Sequence, residues 1–211
     1  MRDRDNNQWL EWAKELQDIS QCALAYCKDK FDIERFQRIR DISAEMAASI
    51  VDMPFETVRS MFCAGTGYQT ARIETRAAVV RDGKLLLVQE ARGKWALPGG
   101  WQDYDRTVRE NTVKEVLEEA GMTVRATRLI ALHDYHRRNE GRMCFPYNIC
   151  KVFVLCEYIS GEFRPNIETL GCGFFAPDEI PEALATGKTT KEQIEMCFRA
   201  AADEHWPVEF D

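Results

Sequence analysis

Two hydrophobic rhythms divide the chain. Over residues 8–66 apolar positions recur at helical spacing. Trp9, Trp12, Leu16, Ile19, Ala23 and Tyr26 step by three and four, as in the seam of a coiled coil. Asp32 is placed to cap a second helix, in which Ile39, Ile42, Met46 and Ile50 continue a similar stripe. The run Asp52-Met53-Pro54 ends that helix, and residues 55–63 read as a third, short one. A helical hairpin of this size cannot bury both tryptophans alone. It packs either on the domain that follows, as a flap, or on a second copy of itself; a homodimer is the expectation. The predicted division is therefore a helical N-terminal domain over 1–66 and a second domain over 67–211.

Past Ala64-Gly65-Thr66-Gly67 the period drops to two. Residues 72–80 alternate and are β-branched, Asp82-Gly83 is a hairpin turn signal, and 84–90 returns as the partner strand. Further strands are predicted near 125–135, 149–158, 161–164 and 173–176. Thr190 with Gln193 opens a C-terminal helix reaching about residue 205. Strands interleaved with one central and one terminal helix predict an α+β domain, a mixed sheet held between helices.

The stretch between these strands carries the most chemistry. Leu97-Pro98-Gly99-Gly100-Trp101 is a turn, and a polar loop then leads into a helix with a capping box at Thr107 and Glu110 and a left-handed cap at Gly121. At about 100° per residue, Val113, Val116, Leu117 and Ala120 share one helical face, while Glu115, Glu118 and Glu119 fall nearly opposite. Like charges at that spacing weaken a helix unless something neutralises them. Converging carboxylates suit a hard divalent cation such as Mg²⁺, with substrate phosphates filling its other positions. A solvated acidic face is the blander reading. The preceding double glycine, which lets backbone carbonyls approach a metal, favours the first.

The segment 100–122 resembles the Nudix box, G-x5-E-x7-R-E-U-x-E-E-x-G-U with U a bulky aliphatic. It matches at Gly100, Glu115, Val116, Glu118, Glu119, Gly121 and Met122, and departs at Arg106, where the family has Glu, and at Lys114, where it has Arg. In the family those two positions brace the loop against the helix. Two cations cannot pair, so the brace is expected to be rebuilt between Lys114 and Asp103 or Asp105. Trp9-Leu10-x-Trp12-Ala13-Lys14, the Tyr26–Phe36 segment and Trp95-Ala96-Leu97-Pro98-Gly99-Gly100-Trp101 are together similar to bacterial Nudix hydrolases with a helical N-terminal extension. These include CDP-choline and ADP-ribose pyrophosphatases, and that group also tolerates Lys in place of the box Arg.

What the resemblance implies is an α/β/α sandwich, with a short helix at 177–181 after the last strand, and Mg²⁺-dependent cleavage of the pyrophosphate in a nucleoside diphosphate linked to some group X, with Mn²⁺ as a possible substitute. CDP-choline is the preferred substrate and ADP-ribose the next. Glu118, Glu119 and the Gly99 carbonyl are the implied metal ligands, and Glu115 is either a third carboxylate ligand or the general base. Glu168 is a second candidate base, the alternative being an exposed loop glutamate. Arg76 is either substrate-facing or a strand residue facing water. Arg92 and Lys94 meet a phosphate or lie in a solvated turn. Trp101 and Tyr104 stack on a base or form a lip, with packing the safer reading for Trp101. Arg137 and Arg138, in the densest basic run (136–142), contact a distal phosphate or are simply solvated.

Composition narrows the alternatives. The 211 residues carry a formal charge of −7, which opposes general affinity for nucleic-acid polymers. That weighs against RNA 5′-end or exonucleolytic processing, the reading the basic run otherwise invites. The departures at Arg106 and Lys114 invite another, a binding module that has lost catalysis, which the intact Glu115, Glu118 and Glu119 oppose. No apolar run is long enough to span a membrane, and the eight cysteines form no Cys-x-x-Cys pair. They are expected to be reduced and mostly buried, in a cytoplasmic protein without a zinc site.

Overall fold

The computed structural model describes residues 2–139, 148–164 and 166–211, with side chains from residue 8 onward. The chain forms two compact units, one ending at Thr70 and the other beginning at Ala71.

The first unit is helical: α1 (Arg2–Tyr26), α2 (Lys30–Val51) and α3 (Phe55–Phe62). Asp29, not Asp32, caps α2, because its carboxylate accepts the backbone N–H groups of Phe31 and Asp32 and starts the helix at Lys30. Asp52 ends α2 in the left-handed conformation with φ 53°. The seam read from the sequence is not the face that α1 buries. Leu10, Ala13, Gln17, Ser20 and Gln21 are buried, whereas Trp9 (50% exposed), Trp12 (44%), Ile19 (51%) and Tyr26 (66%) face outward. Polar burial there has a local cause. Gln17 donates to the Phe62 carbonyl at 2.8 Å, and Gln21 donates to Gly67 O at the same distance. These side chains satisfy chain ends that would otherwise lose water.

The second unit is a seven-stranded mixed sheet, built from β1 (Arg72–Arg81), β2 (Lys84–Glu90), β3 (Trp95–Ala96), β4 (Met122–Asp134), β5 (Ile149–Gly161), β6 (Thr169–Phe175) and β7 (Glu209–Phe210). Strand order is β3-β2-β1-β5-β4-β7, with β6 on β2; β1 and β5 are parallel, and β4 and β5 antiparallel. Asp82 and Gly83 both take positive φ in the β1–β2 hairpin, as an Asp-Gly turn requires. Period-two alternation then divides the core between the faces. Ala77 and Val79 pack with Val116 and Ala120 of α4 (Val108–Ala120), while Ala78 packs with Ile194, Met196 and Cys197 of the C-terminal helix (Lys191–Ala202). Between β4 and the undescribed residues lies the one-turn helix α5 (Tyr135–Arg138), so the C-terminal helix is α6.

Three expectations need correction. Residues 161–164 are not a separate strand, because β5 itself runs on to Gly161. The 177–181 segment is a turn, not a helix: the Glu179 side chain accepts the Ala176 N–H and so closes the loop locally. α6 ends at Ala202, three residues short of the expected limit, before β7 adds beside β4. Of the cysteines, Cys156 and Cys197 are buried, five others are partly so and all seven are free; Cys144 lies outside the described residues. No helix among the described residues is long and apolar enough to cross a membrane.

The capping box at the head of α4 is complete. The Glu110 N–H donates to Thr107 Oγ1 at 3.2 Å, and the Thr107 N–H donates to Glu110 Oε2 at 2.9 Å. Thr107→Ala removes the side-chain acceptor and is expected to cost about 1 kcal/mol, measurable as a shift of the urea midpoint at constant slope.

Candidate active site

Strand β1 positions the Pro-Gly-Gly turn. Ala77 N–H donates to Pro98 O at 2.8 Å, and Thr75 N–H donates to Gly100 O at 2.9 Å. Between these bonds the Gly99 carbonyl accepts none among the described residues. Gly99 sits at φ 146°, and a Cβ there would lie 2.0 Å from Thr75 O. Only glycine fits so close to a neighbouring backbone. Gly99→Ala is expected to dislodge the turn: the variant should lose turnover even where far-UV circular dichroism still reports a folded sheet.

Helix α4 brings its carboxylates against this turn. Glu119, buried, accepts the Gly99 N–H at 2.8 Å. Glu115, also buried, lies beside Gly100, where a Cβ would meet its Oε2 at 2.7 Å. Glu118 is more exposed. The Lys114 amine stands among the acids, 3.2 Å from Asp103, 3.3 Å from Glu115 and 3.1 Å from Glu118. Arg106 closes on the same Asp103 at 3.3 Å. The brace is thus rebuilt through Asp103, which serves both cations that replace the usual pair. Asn111, which sequence reasoning passed over, completes it: its side chain donates to Thr75 Oγ1 and Trp101 O and accepts the Asp103 N–H.

Electrostatics follow from this crowding. Burial raises Glu119 to about 7, against the lowering influence of Arg76 and the Gly99 N–H. Burial also raises Glu115, against the opposing charge of Lys114. For Lys114, burial alone would lower the pKa, but bonds to Glu118 and Asp103 and the charge of Glu115 outweigh it and hold the amine above the ordinary lysine value.

The other predicted site residues scatter. Arg76 neither faces water nor offers a free guanidinium. It is buried, donating to Glu74 at 2.6 Å and to the Leu97 carbonyl at 3.0 Å. Glu74 also faces the buried Lys151 amine at 3.7 Å, and that amine donates to Gly187 O at 2.8 Å and to Lys188 O. A buried charged chain therefore ties the turn to the 187–188 loop. Arg92 is exposed. Trp101 is half exposed, 5.9 Å from the Arg72 guanidinium, and Tyr104 is fully exposed beside it. Both aromatics line a 410 Å³ depression with Arg72, Ile73 and Asp103. Arg138 pairs with Glu209 and Asp211 on the α6 face of the sheet, with Arg137 near it, away from the carboxylates of α4. Glu168 is exposed, but its loop is held to α4, because the Asn166 amide donates to the carbonyls of Glu118 and Glu119. The Asn166 side chain also closes a local turn by accepting the Glu168 and Thr169 N–H groups, but nothing in the sequence marks its bonds to α4 or the Lys151 contacts, whose partners lie far along the chain.

Comparison with known proteins bears on this arrangement. A NUDIX domain model matches residues 71–196, more than half of the chain and the whole of the segment that carries the turn and α4. The chain belongs to the Nudix family. It is a Nudix pyrophosphohydrolase, and α4 is its Nudix helix. Residues 7–62 match a second model, the UDP-X-like N-terminal oligomerisation domain. YjhB of Bacillus subtilis (strain 168), provisionally named an ADP-ribose pyrophosphatase, is 35% identical over 191 residues, covering 90% of each chain. A solved structure from Streptococcus suis 89-1591, described as an ADP-ribose pyrophosphatase, is 48% identical with TM-score 0.62, over 67% of this chain and all of that one. A UDP-X diphosphatase structure is 29% identical with TM-score 0.62, over 98% of this chain and 99% of its own.

Proposed function

We propose that this Nudix enzyme cleaves the pyrophosphate of a nucleoside diphosphate linked to X, using a divalent cation, and that ADP-ribose and UDP-linked compounds lead its substrates. The names of the relatives support that order. CDP-choline, the preference expected from sequence resemblance, stays in the test panel behind them. The observation that carries the reading is the gathering of Glu115 and Glu119 on the Gly99-Gly100 turn, with a lysine amine already drawn in among the neighbouring carboxylates.

The donor set fits a hard cation. Among the described residues no three acidic, His or Cys side chains are grouped closely enough to hold an ion by themselves. Mg²⁺ commonly takes one or two carboxylates and completes its shell with water and substrate phosphates. Glu119, Glu115 or Glu118, and the unbonded Gly99 carbonyl would hold it. When bound, the ion neutralises phosphate charge and acidifies water. The chain's own residues do the rest. Lys114 and Arg106 hold Asp103 and so the loop, Asn111 fixes its backbone, and Arg76 secures Leu97 from below. Glu168 is the proposed base, carried on the loop that Asn166 fastens to the Nudix helix. Trp101 and Tyr104 offer flat surfaces to a base.

The test is incubation with Mg²⁺ and ADP-ribose, a UDP-sugar or CDP-choline, resolving products by ion exchange. The expected products are a nucleoside monophosphate and phosphorylated X, and EDTA should abolish them. Absence of turnover across the panel, or turnover unchanged in the Glu118→Gln/Glu119→Gln double variant, overturns the reading.

The helical unit is proposed to join two copies. Its supports are the outward seam of Trp9, Trp12, Ile19 and Tyr26 on α1 and the match to an oligomerisation domain. Sedimentation at micromolar concentration should give a dimer for the native chain and a monomer for Trp9→Asp/Trp12→Asp. A monomeric native chain refutes it.

A further inference from the structure

The face of the sheet opposite the Nudix helix holds a second polar cavity, of about 460 Å³, between the end of β4, α5 and the start of α6. His133 of β4 forms part of its wall. The ring is 2% exposed and packs on Phe153 at 5.3 Å. Its protonation is set by a neighbouring chain of hydrogen bonds. The Gln193 side-chain oxygen accepts the Thr190 N–H at 3.0 Å, so the Gln193 nitrogen must be the group that faces Asn139 Oδ1 at 3.1 Å and His133 Nδ1 at 3.5 Å. A nitrogen that donates to Nδ1 leaves the imidazole proton on Nε2. Burial and the charge of Arg138 lower the His133 pKa and outweigh the raising influence of the Glu209 and Asp211 carboxylates, so the ring is the neutral Nε2–H tautomer near pH 7.

That Nε2–H is buried and makes no hydrogen bond among the described residues. Glu209 Oε1 lies 3.4 Å away but outside hydrogen-bond geometry, and it is engaged by Arg138 at 3.1 Å. A buried donor without an acceptor is costly to fold around and calls for an explanation, of which a bound acceptor is one. The Arg137 guanidinium, also at this cavity, has no ion pair or hydrogen bond among the described residues. Arg199 and His136 add to the rim, and Glu192 is turned back to its own N–H and Thr190 at the head of α6. The groups left unspent are a fixed N–H donor and a cation, and both call for a ligand rich in acceptor oxygens.

We propose that this cavity is a phosphomonoester site, in which His133 Nε2–H and the Arg137 guanidinium bind the terminal oxygens and the remaining volume takes the esterified group. It lies across the sheet from the anhydride-cleaving turn and is separate from it. The pyrophosphohydrolase reaction yields phosphomonoesters, so its own product is one source of such a ligand and an unrelated phosphorylated metabolite is the other.

The experiment is a histidine-detected NMR titration of the full-length protein in EDTA, which keeps the Nudix turn free of metal. The probes are inorganic phosphate, ribose 5-phosphate and AMP. A saturable shift of the His133 Nε2–H resonance, weakened about tenfold or more by Arg137→Ala and kept in Glu119→Gln, is the expected result. Saturation by AMP at lower concentration than by ribose 5-phosphate assigns the site to nucleotide product, and the reverse assigns it to other sugar phosphates. A resonance that stays still at millimolar levels of all three probes, or moves equally in Arg137→Ala, overturns the proposal. Turnover assays are independent of this outcome, so loss of the site and loss of the catalytic reading are distinguishable.

Discussion

Glu119→Gln is expected to make the metal-free protein more stable near pH 8 and almost inactive. The carboxyl is buried against the turn, and burial lifts it from the ordinary 4.5 to about 7. For a raised carboxyl the sign is fixed. The unfolded chain loses its proton first, so stability is full below about pH 4.5, falls as pH rises toward 7, and stays reduced above. A shift of that size corresponds to at most about 3 kcal/mol, and the neutral amide has a burial cost of its own. The expected gain is therefore about 1–3 kcal/mol, several degrees in Tm for a chain of this length. Glutamine still accepts the Gly99 N–H, so the turn is retained. Turnover should nevertheless fall about a hundredfold or more, since Glu119 is proposed to hold the ion and such a carboxylate is worth several kcal/mol to the transition state. Thermal melts in EDTA across about pH 4–8, beside rates in Mg²⁺, read both halves. A variant no more stable than the native chain at the alkaline end shows that the Glu119 charge is already well compensated without metal, and the account of this site fails.

The second large effect concerns Lys151→Met. Methionine matches the length of the lysine stem, but the Gly187 and Lys188 carbonyls lose their donor and Glu74 loses one of its two cations. Arg76 remains on Glu74, which spares the full cost of an orphaned buried acid. A loss of about 3 kcal/mol is expected, or roughly 6–12 °C in Tm. Chemical denaturation measures it directly. A change under about 0.5 kcal/mol, the level of an ordinary surface substitution, shows that the buried charged chain contributes nothing to holding the 187–188 loop.

Much of this molecule was legible in its sequence because local rules governed it. The capping boxes at Thr107 and Thr190, the Asp82-Gly83 hairpin and the Gly121 cap depend on neighbours within a few positions, and each stands as read. Spacing also brought out the Nudix box. What spacing could not show was which face of a helix finds cover. Leu117 shares the apolar stripe of α4 yet is 53% exposed, whereas the acidic Glu115 and Glu119 are buried, because the turn rather than the sheet lies over them. The stripe on α1 is not the face buried within its own unit, because Gln17 and Gln21 turn inward there to satisfy backbone carbonyls far along the chain. Arg76 read as a basic strand residue open to substrate or water, and only the three-dimensional neighbourhood of Glu74 and Leu97 explains its burial. Asp29 prevailed over Asp32 by three residues, a margin that propensity alone does not resolve.

Lys114 carries one more consequence. Its ammonium already lies among the carboxylates of Asp103, Glu115 and Glu118 before any ion arrives, and so offsets part of their mutual repulsion. Binding of the proposed divalent ion is then an exchange of counter-charge, in which a tethered group yields its place to a diffusible one. Stripping the metal is then expected to abolish turnover and to leave the far-UV circular dichroism unchanged.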